Sequence, residues 1–129
     1  MRVFKTRGFA RFAKVERIND AMLADAIRHA ETGLVKADLG GGLIKLRVAR
    51  LGQGKRGGYR TLIAYRSGVR AVFLFGFAKN ERDNVSRQQL TDLKSAAGEI
   101  LKRSNDDIAT DIADGRLQEV HHEETNKKG

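Results

Sequence analysis

The sequence predicts an α+β domain: two N-terminal helices packed on a small antiparallel β-sheet, with a C-terminal helix closing it. Three observations predict this. The apolar period is helical up to about residue 33, becomes 2 from Leu43, and turns helical again after Ser86. Three β-rich runs follow one another, two of them joined by a link of hairpin length, so neighbouring strands should pair antiparallel. Finally, 129 residues without a cysteine suit one core that needs no disulfide staples.

Val3–Lys5 reads as a short extended start. "GFARFAKVER" then places Phe9, Phe12 and Val15, with Ala13 beside them, on one helical stripe. "NDAMLADAIRHAETG" gives the second helix, with Asn19 or Asp20 as N-cap, Met22, Leu23, Ala26, Ile27 and Ala30 on one face, and Gly33 as its stop. "LIKLRVAR" alternates Ile44, Leu46 and Val48 with Lys45, Arg47 and Ala49, which describes a half-buried strand showing its cations. "YRTLIAYR" (59–66) and "VRAVFLFGFAK" (69–79) are further strands, the second apolar enough to lie at the centre of the sheet. In "SRQQLTDLKSAAGEILKR", Ser86 and Gln89 make a capping box, and Leu90, Leu93, Ala97, Ile100 and Leu101 form the apolar stripe. The order is ααβββα. One domain spans 1–103, and 104–129 forms an acidic extension, partly disordered, in which Ile108 and Ile112 allow a short helix.

Charge divides unevenly along this frame. Residues 1–44 carry 8 Lys/Arg against 5 Asp/Glu, residues 45–82 carry 10 against 1, and residues 83–129 carry 7 against 10. The excess in the middle segment is the footprint a polyanion would meet. The N-terminus is broken by a cation every few residues and offers no secretory h-region, and no run reaches membrane-spanning length, so a cytoplasmic protein with no membrane partner is expected.

Several chemistries fall away. His29 lies in the second helix and His121 and His122 in the tail, so no histidine falls in the basic β region to serve acid–base or triad chemistry. Adjacent histidines in a tail make a poor metal cage, and "GQGKRGG" lacks the Walker A pattern, so no metal and no cofactor are expected. What remains is a set of Lys and Arg on a sheet, with Tyr59 and Tyr65 interleaved and one carboxylate, Glu81, at its end. RNA cleavage requires the 2′-hydroxyl to lose a proton, the charge on the pentavalent phosphate to be stabilised, and the leaving 5′-oxygen to be protonated. Fixed cations supply the middle term. The tyrosines are candidate stacking surfaces for an unpaired base.

"GGLIKLRVARLGQGKRGGYRTLIAY" followed by "FGFAKNERDN" resembles the RelE/ParE superfamily of bacterial type II toxins, and most of all its HigB-type branch. The likeness covers roughly 40–103, and more loosely the two N-terminal helices. It implies a RelE-like, microbial-RNase-type fold. It also implies a metal-independent messenger RNA endonuclease acting in the ribosomal A site, with the ribosome, mRNA and a cognate antitoxin as partners. Carried over by position, Lys45 and Arg47 match the basic residues of the first long strand, Arg60 the arginine of the G-Y-R segment, and Lys79 the lysine before the final turn. The family pattern has a catalytic arginine where this chain has Asn80, and a tyrosine where it has Ser86; Arg82 and Tyr59 or Tyr65 are the candidate replacements.

The resulting assignment gives Arg47 and Arg60 the scissile phosphate, Lys45 the 2′-oxygen, and Lys79 or Arg82 the leaving group. Glu81 is either a rival base or an ion-pair partner that orients Arg82 or Lys79. Lys55 and Arg56, on the glycine-rich loop, are expected to meet RNA phosphates. A gyrase inhibitor of the ParE kind, or a non-catalytic protein that binds RNA or an antitoxin, is the alternative on the same scaffold.

Overall fold

The computed structural model describes residues 1–33, 36–49, 58–79 and 84–121. Along the chain these form β1 (Arg2–Thr6), α1 (Arg7–Glu16), α2 (Asp20–Glu31), β2 (Lys36–Gly40), β3 (Leu43–Val48), β4 (Tyr59–Arg66), β5 (Arg70–Ala78), α3 (Arg87–Lys102), α4 (Asn105–Ala113) and β6 (Leu117–Glu119). The strands make one sheet in the order β2-β3-β4-β5-β1-β6, so the apolar run of β5 is central, as its composition requires. β1 runs parallel to β5, and the other neighbours pair antiparallel. The architecture is α+β, and β1, expected only as a short extended start, joins the two edge strands β2 and β6 in enlarging the sheet from the three strands expected to six. β2 reads KADLG and β6 only LQE, neither with the β-branched run that marks a strand locally. Each is recruited by backbone hydrogen bonds to a longer neighbour.

Local chemistry starts each helix. Thr6, Asn19, Ser86 and Ser104 stand at the four N-caps in extended backbone, and each side chain accepts a hydrogen bond from an N–H of the first turn. Arg70 closes α3 at its other end: its buried Nη1 donates to the carbonyls of Ile100 and Arg103, both at 2.9 Å. It thus puts a cation on carbonyls that the helix leaves unpaired. The β2–β3 turn needs its glycines, because Gly40, Gly41 and Gly42 have φ of 89°, 67° and 85°. A Cβ at Gly42 would also stand 2.6 Å from Leu101 Cδ1, so α3 packs directly against that turn.

Helices cover both faces. On one, α1 and α2 pack Phe9, Ala13, Leu23 and Ile27 against Ile44, Leu46, Val48, Ile63 and Phe73. On the other, α3 and α4 pack Ala97, Leu101 and Ile108 against Phe4, Leu43, Leu62 and Val72. Each fully buried side chain of this size contributes about 1.5–3 kcal/mol. Gly76 makes the first layer close: a Cβ there would come within 2.5 Å of the Phe12 ring. Val15 does not join the α1 stripe. It is 77% exposed, whereas Ala13 is 2% exposed, because a spacing of six overshoots the face that Phe9 and Phe12 define. Residues beyond Arg103 contribute Ile108, Leu117 and Val120 to the two clusters, and Asp111 ties them down through Arg103 (2.6 and 2.9 Å) and Arg116 (3.2 Å).

Candidate nucleic-acid interface

Strand alternation decides which basic side chains share a face. In β3, Ile44, Leu46 and Val48 point to α1 and α2, which leaves Lys45 and Arg47 on the opposite face. In β4 the same rule puts Arg60 and Leu62 opposite Tyr59 and Ile63. The β3–β4 register then sets Arg47 directly across from Arg60, and Lys45 across from Leu62. Two guanidinium groups opposed on neighbouring strands repel, so this pairing stabilises nothing by itself.

Arg60 is the unusual member. It is half-buried, and its Nη1 is buried with no hydrogen-bond partner. Burial, and then the charge of Arg47, hold its pKa below the ordinary arginine value. Lys45, Arg47, Arg60 and Lys79 form no ion pair among the described residues, whereas Arg2, Lys5, Arg103 and Arg116 all have carboxylate partners. A buried donor without an acceptor, beside a second unpaired cation, is a place built for an anion. The Arg47 stem lies against Gly58, where a Cβ would meet Arg47 Cγ at 3.4 Å and the Val48 carbonyl at 3.1 Å. The Gly58 carbonyl accepts from the Lys79 N–H at 3.2 Å, bringing the exposed Lys79 to the same end of the sheet. Lys55, Arg56, Glu81 and Arg82 lie outside the described residues.

Tyr59 and Tyr65 do not flank this site, which corrects their expected role as stacking surfaces. Both rings belong to the core under α1 and α2, at 2% and 8% exposure, on the face opposite Arg47 and Arg60. Their hydroxyls donate to the carboxylates of Glu16, at 2.9 Å, and of Glu31. Burial, and then the bond to Glu31, push the Tyr65 hydroxyl pKa up. A ring covered on both faces cannot stack on a base. The tyrosines alternate with the basic residues in sequence, and on a strand that alternation means opposite faces.

The aromatics beside the cations are Phe77, across from Arg60, and Phe75, across from Leu62, with ring centroids 6.3 Å apart. Sequence reasoning passed over them because "VFLFGFA" is apolar throughout and shows no parity. A bulge decides it: Leu62 pairs with Phe75 but Ile63 with Phe73, so Leu74 is the extra residue and places Phe75 and Phe77 on the cationic face. Apolar walls lower the local dielectric and strengthen the attraction of Arg60 for an anion. Among the described residues no three His, Asp or Glu side chains converge to hold a metal, and no helix is long and apolar enough to cross a membrane.

Comparison with characterised proteins gives no match. Residues 1–120 match the model of the family described as the RelE toxin of the RelE/RelB toxin–antitoxin system, a span that runs from β1 through β6 and takes in both faces of the sheet. With the α+β fold and the match covering nearly the whole chain, the protein belongs to the RelE toxin family.

Proposed function

We propose that this chain is a HigB-type toxin that inhibits translation by cutting messenger RNA on the ribosome, held in check by a cognate antitoxin. The single observation that carries this reading is the Arg47–Arg60 pair, with a buried, unpartnered Nη1 on Arg60. In the reaction the RNA 2′-oxygen attacks the adjacent phosphorus and the bond to the 5′-oxygen breaks, leaving a 2′,3′-cyclic phosphate and a 5′-hydroxyl. Arg60 and Arg47 hold the non-bridging oxygens and stabilise the extra charge of the pentavalent state. Lys45, on the same face two residues before Arg47, serves the 2′-oxygen, taking its proton or stabilising its anion. Lys79 or Arg82 aids the leaving 5′-oxygen, Lys79 by giving it a proton or Arg82 by a charge-assisted hydrogen bond while water supplies the proton, with Glu81 as the rival base. Lys55 and Arg56 contact ribosomal RNA phosphates rather than the reacting centre. No step needs a cofactor.

The test is primer extension on mRNA bound to programmed ribosomes, comparing the wild-type protein with Arg60→Ala. We expect cuts at the A-site codon that slow by about a hundredfold or more in the variant, the range for losing one donor to a developing oxyanion. Wild-type cutting rates in Arg60→Ala would overturn the assignment. Uncut mRNA, with DNA damage in cells that express the protein, would instead mark a gyrase inhibitor.

A further inference from the structure

α1 turns outward a face that RNA cleavage does not use. The first 17 residues hold six cations, Arg2, Lys5, Arg7, Arg11, Lys14 and Arg17, against one carboxylate, Glu16. Arg2 and Lys5 are neutralised by Glu119 at 2.9 Å and Asp20 at 2.8 Å. Glu16 accepts from the Tyr59 hydroxyl and is engaged with the core. Arg7 is braced, its Nε donating to the Gly115 carbonyl at 3.2 Å. Arg11, Lys14 and Arg17 are exposed, and among the described residues their side chains make no ion pair and no hydrogen bond. Spacings of four and three place Arg7, Arg11 and Lys14 on one stripe, opposite the buried Phe9 and Ala13.

Arg17 supplies a second, independent observation. It ends α1 in left-handed backbone, φ 62°, the one non-glycine residue with positive φ among those described. That conformation costs an L-residue roughly 1 kcal/mol, and a glycine would close the same turn without strain. The strained position carries another exposed guanidinium at the C-terminal end of α1.

The chemistry of this face separates its possible occupants. A protein partner is anchored by aromatic and apolar side chains in an interface core poor in charge, and here the exposed apolar side chain is Val15 alone. A run of unpaired cations without anchors suits a repeating anion, which is the RNA backbone. We infer that the α1 face, through Arg11, Lys14 and Arg17, is a second docking surface for duplex RNA, on the opposite side of the sheet from Arg47 and Arg60. Cationic surfaces on both layers fit a protein lodged between two RNA segments rather than resting on one strand. The inference deepens the proposed function and takes from it the identity of the polyanion.

The experiment measures binding of the full chain to a 20-base-pair RNA duplex by fluorescence anisotropy across 50–250 mM KCl, comparing wild type with Arg11→Ala/Lys14→Ala. Alanine keeps the helix, and a melting curve checks that the fold is intact. We expect the double variant to bind roughly tenfold more weakly at 100 mM salt, with a log–log salt slope shallower by about two, one for each phosphate contact removed. Equal affinity and slope for the two proteins, or no duplex binding by the wild type at 50 mM salt, would overturn the inference. So would unchanged RNA binding with loss of antitoxin binding, which would give the face to a protein partner. Messenger RNA left uncut on programmed ribosomes by the wild-type protein would sink the proposed function and leave a measured duplex-binding difference standing, so the two failures are distinguishable.

Discussion

The role proposed for Arg60 runs against stability. Its guanidinium is half-buried, lacks a partner at Nη1 and faces Arg47 across the strand pair, so the fold disfavours the charge that arginine keeps at every ordinary pH. Arg60→Ala should therefore raise the unfolding midpoint by a few degrees, about 0.5–1 kcal/mol, while cleavage falls. Differential scanning calorimetry on the same preparation used for cleavage reads both sides of the exchange. A variant that melts lower than wild type would mean that Arg60 holds the sheet together. Not every residue at the site could be read in this way from sequence. The basic character of Lys45, Arg47 and Arg60 was legible because alternation is written into "LIKLRV" and "YRTLIAY". The opposition of Arg47 to Arg60 was not, because register belongs to the pairing of two strands.

At the level of elements, Asp111 joins α3, α4 and the approach to β6. Burial opposes its charge, but hydrogen bonds from Arg103 and then Arg116 outweigh that and hold its carboxyl pKa below the usual aspartate value. The folded-state pKa is thus lower than the unfolded one. The stabilisation is present in full above the unfolded value, about 3.9, and is lost as pH falls through the folded one. Asp111→Asn should lower the midpoint at pH 7 and flatten the decline seen in wild type below about pH 4. Parallel acid limbs in the two proteins, by circular dichroism melts from pH 2 to 7, would show that Asp111 carries none of it. Elements with a strong local signal were legible in the sequence: the capping box of α3, the glycine stop after α2, and the apolar run of β5. β2 and β6 were not, because an edge strand of three to five residues is specified by the neighbour that pairs with it. The bulge at Leu74 was hidden for the same reason, and with it the faces of Phe75 and Phe77.

For the whole molecule, the reach of the C-terminal segment is the main consequence of the fold. α4 and β6 place Ile108, Leu117 and Val120, each no more than 2% exposed, in the two core clusters, and β6 covers the edge of β1. A chain ending at Arg103 would lose three such side chains, about 5–9 kcal/mol, a large share of the 5–15 kcal/mol that stabilises a typical domain. We expect that truncation to unfold or aggregate in size-exclusion chromatography. A cooperative melt within a few degrees of the full chain would show that residues 1–103 suffice. By itself, the sequence determined the α+β class, the helices and central strands, and the concentration of cations between residues 45 and 82, because period, caps and charge are properties of neighbouring residues. Only the tertiary structure decided that Arg47 meets Arg60, that Tyr59 and Tyr65 are core while Phe75 and Phe77 line the cations, and that the acidic end of the chain completes the sheet. Those outcomes depend on which strands pair and in what register, and that choice is made by packing across the whole molecule.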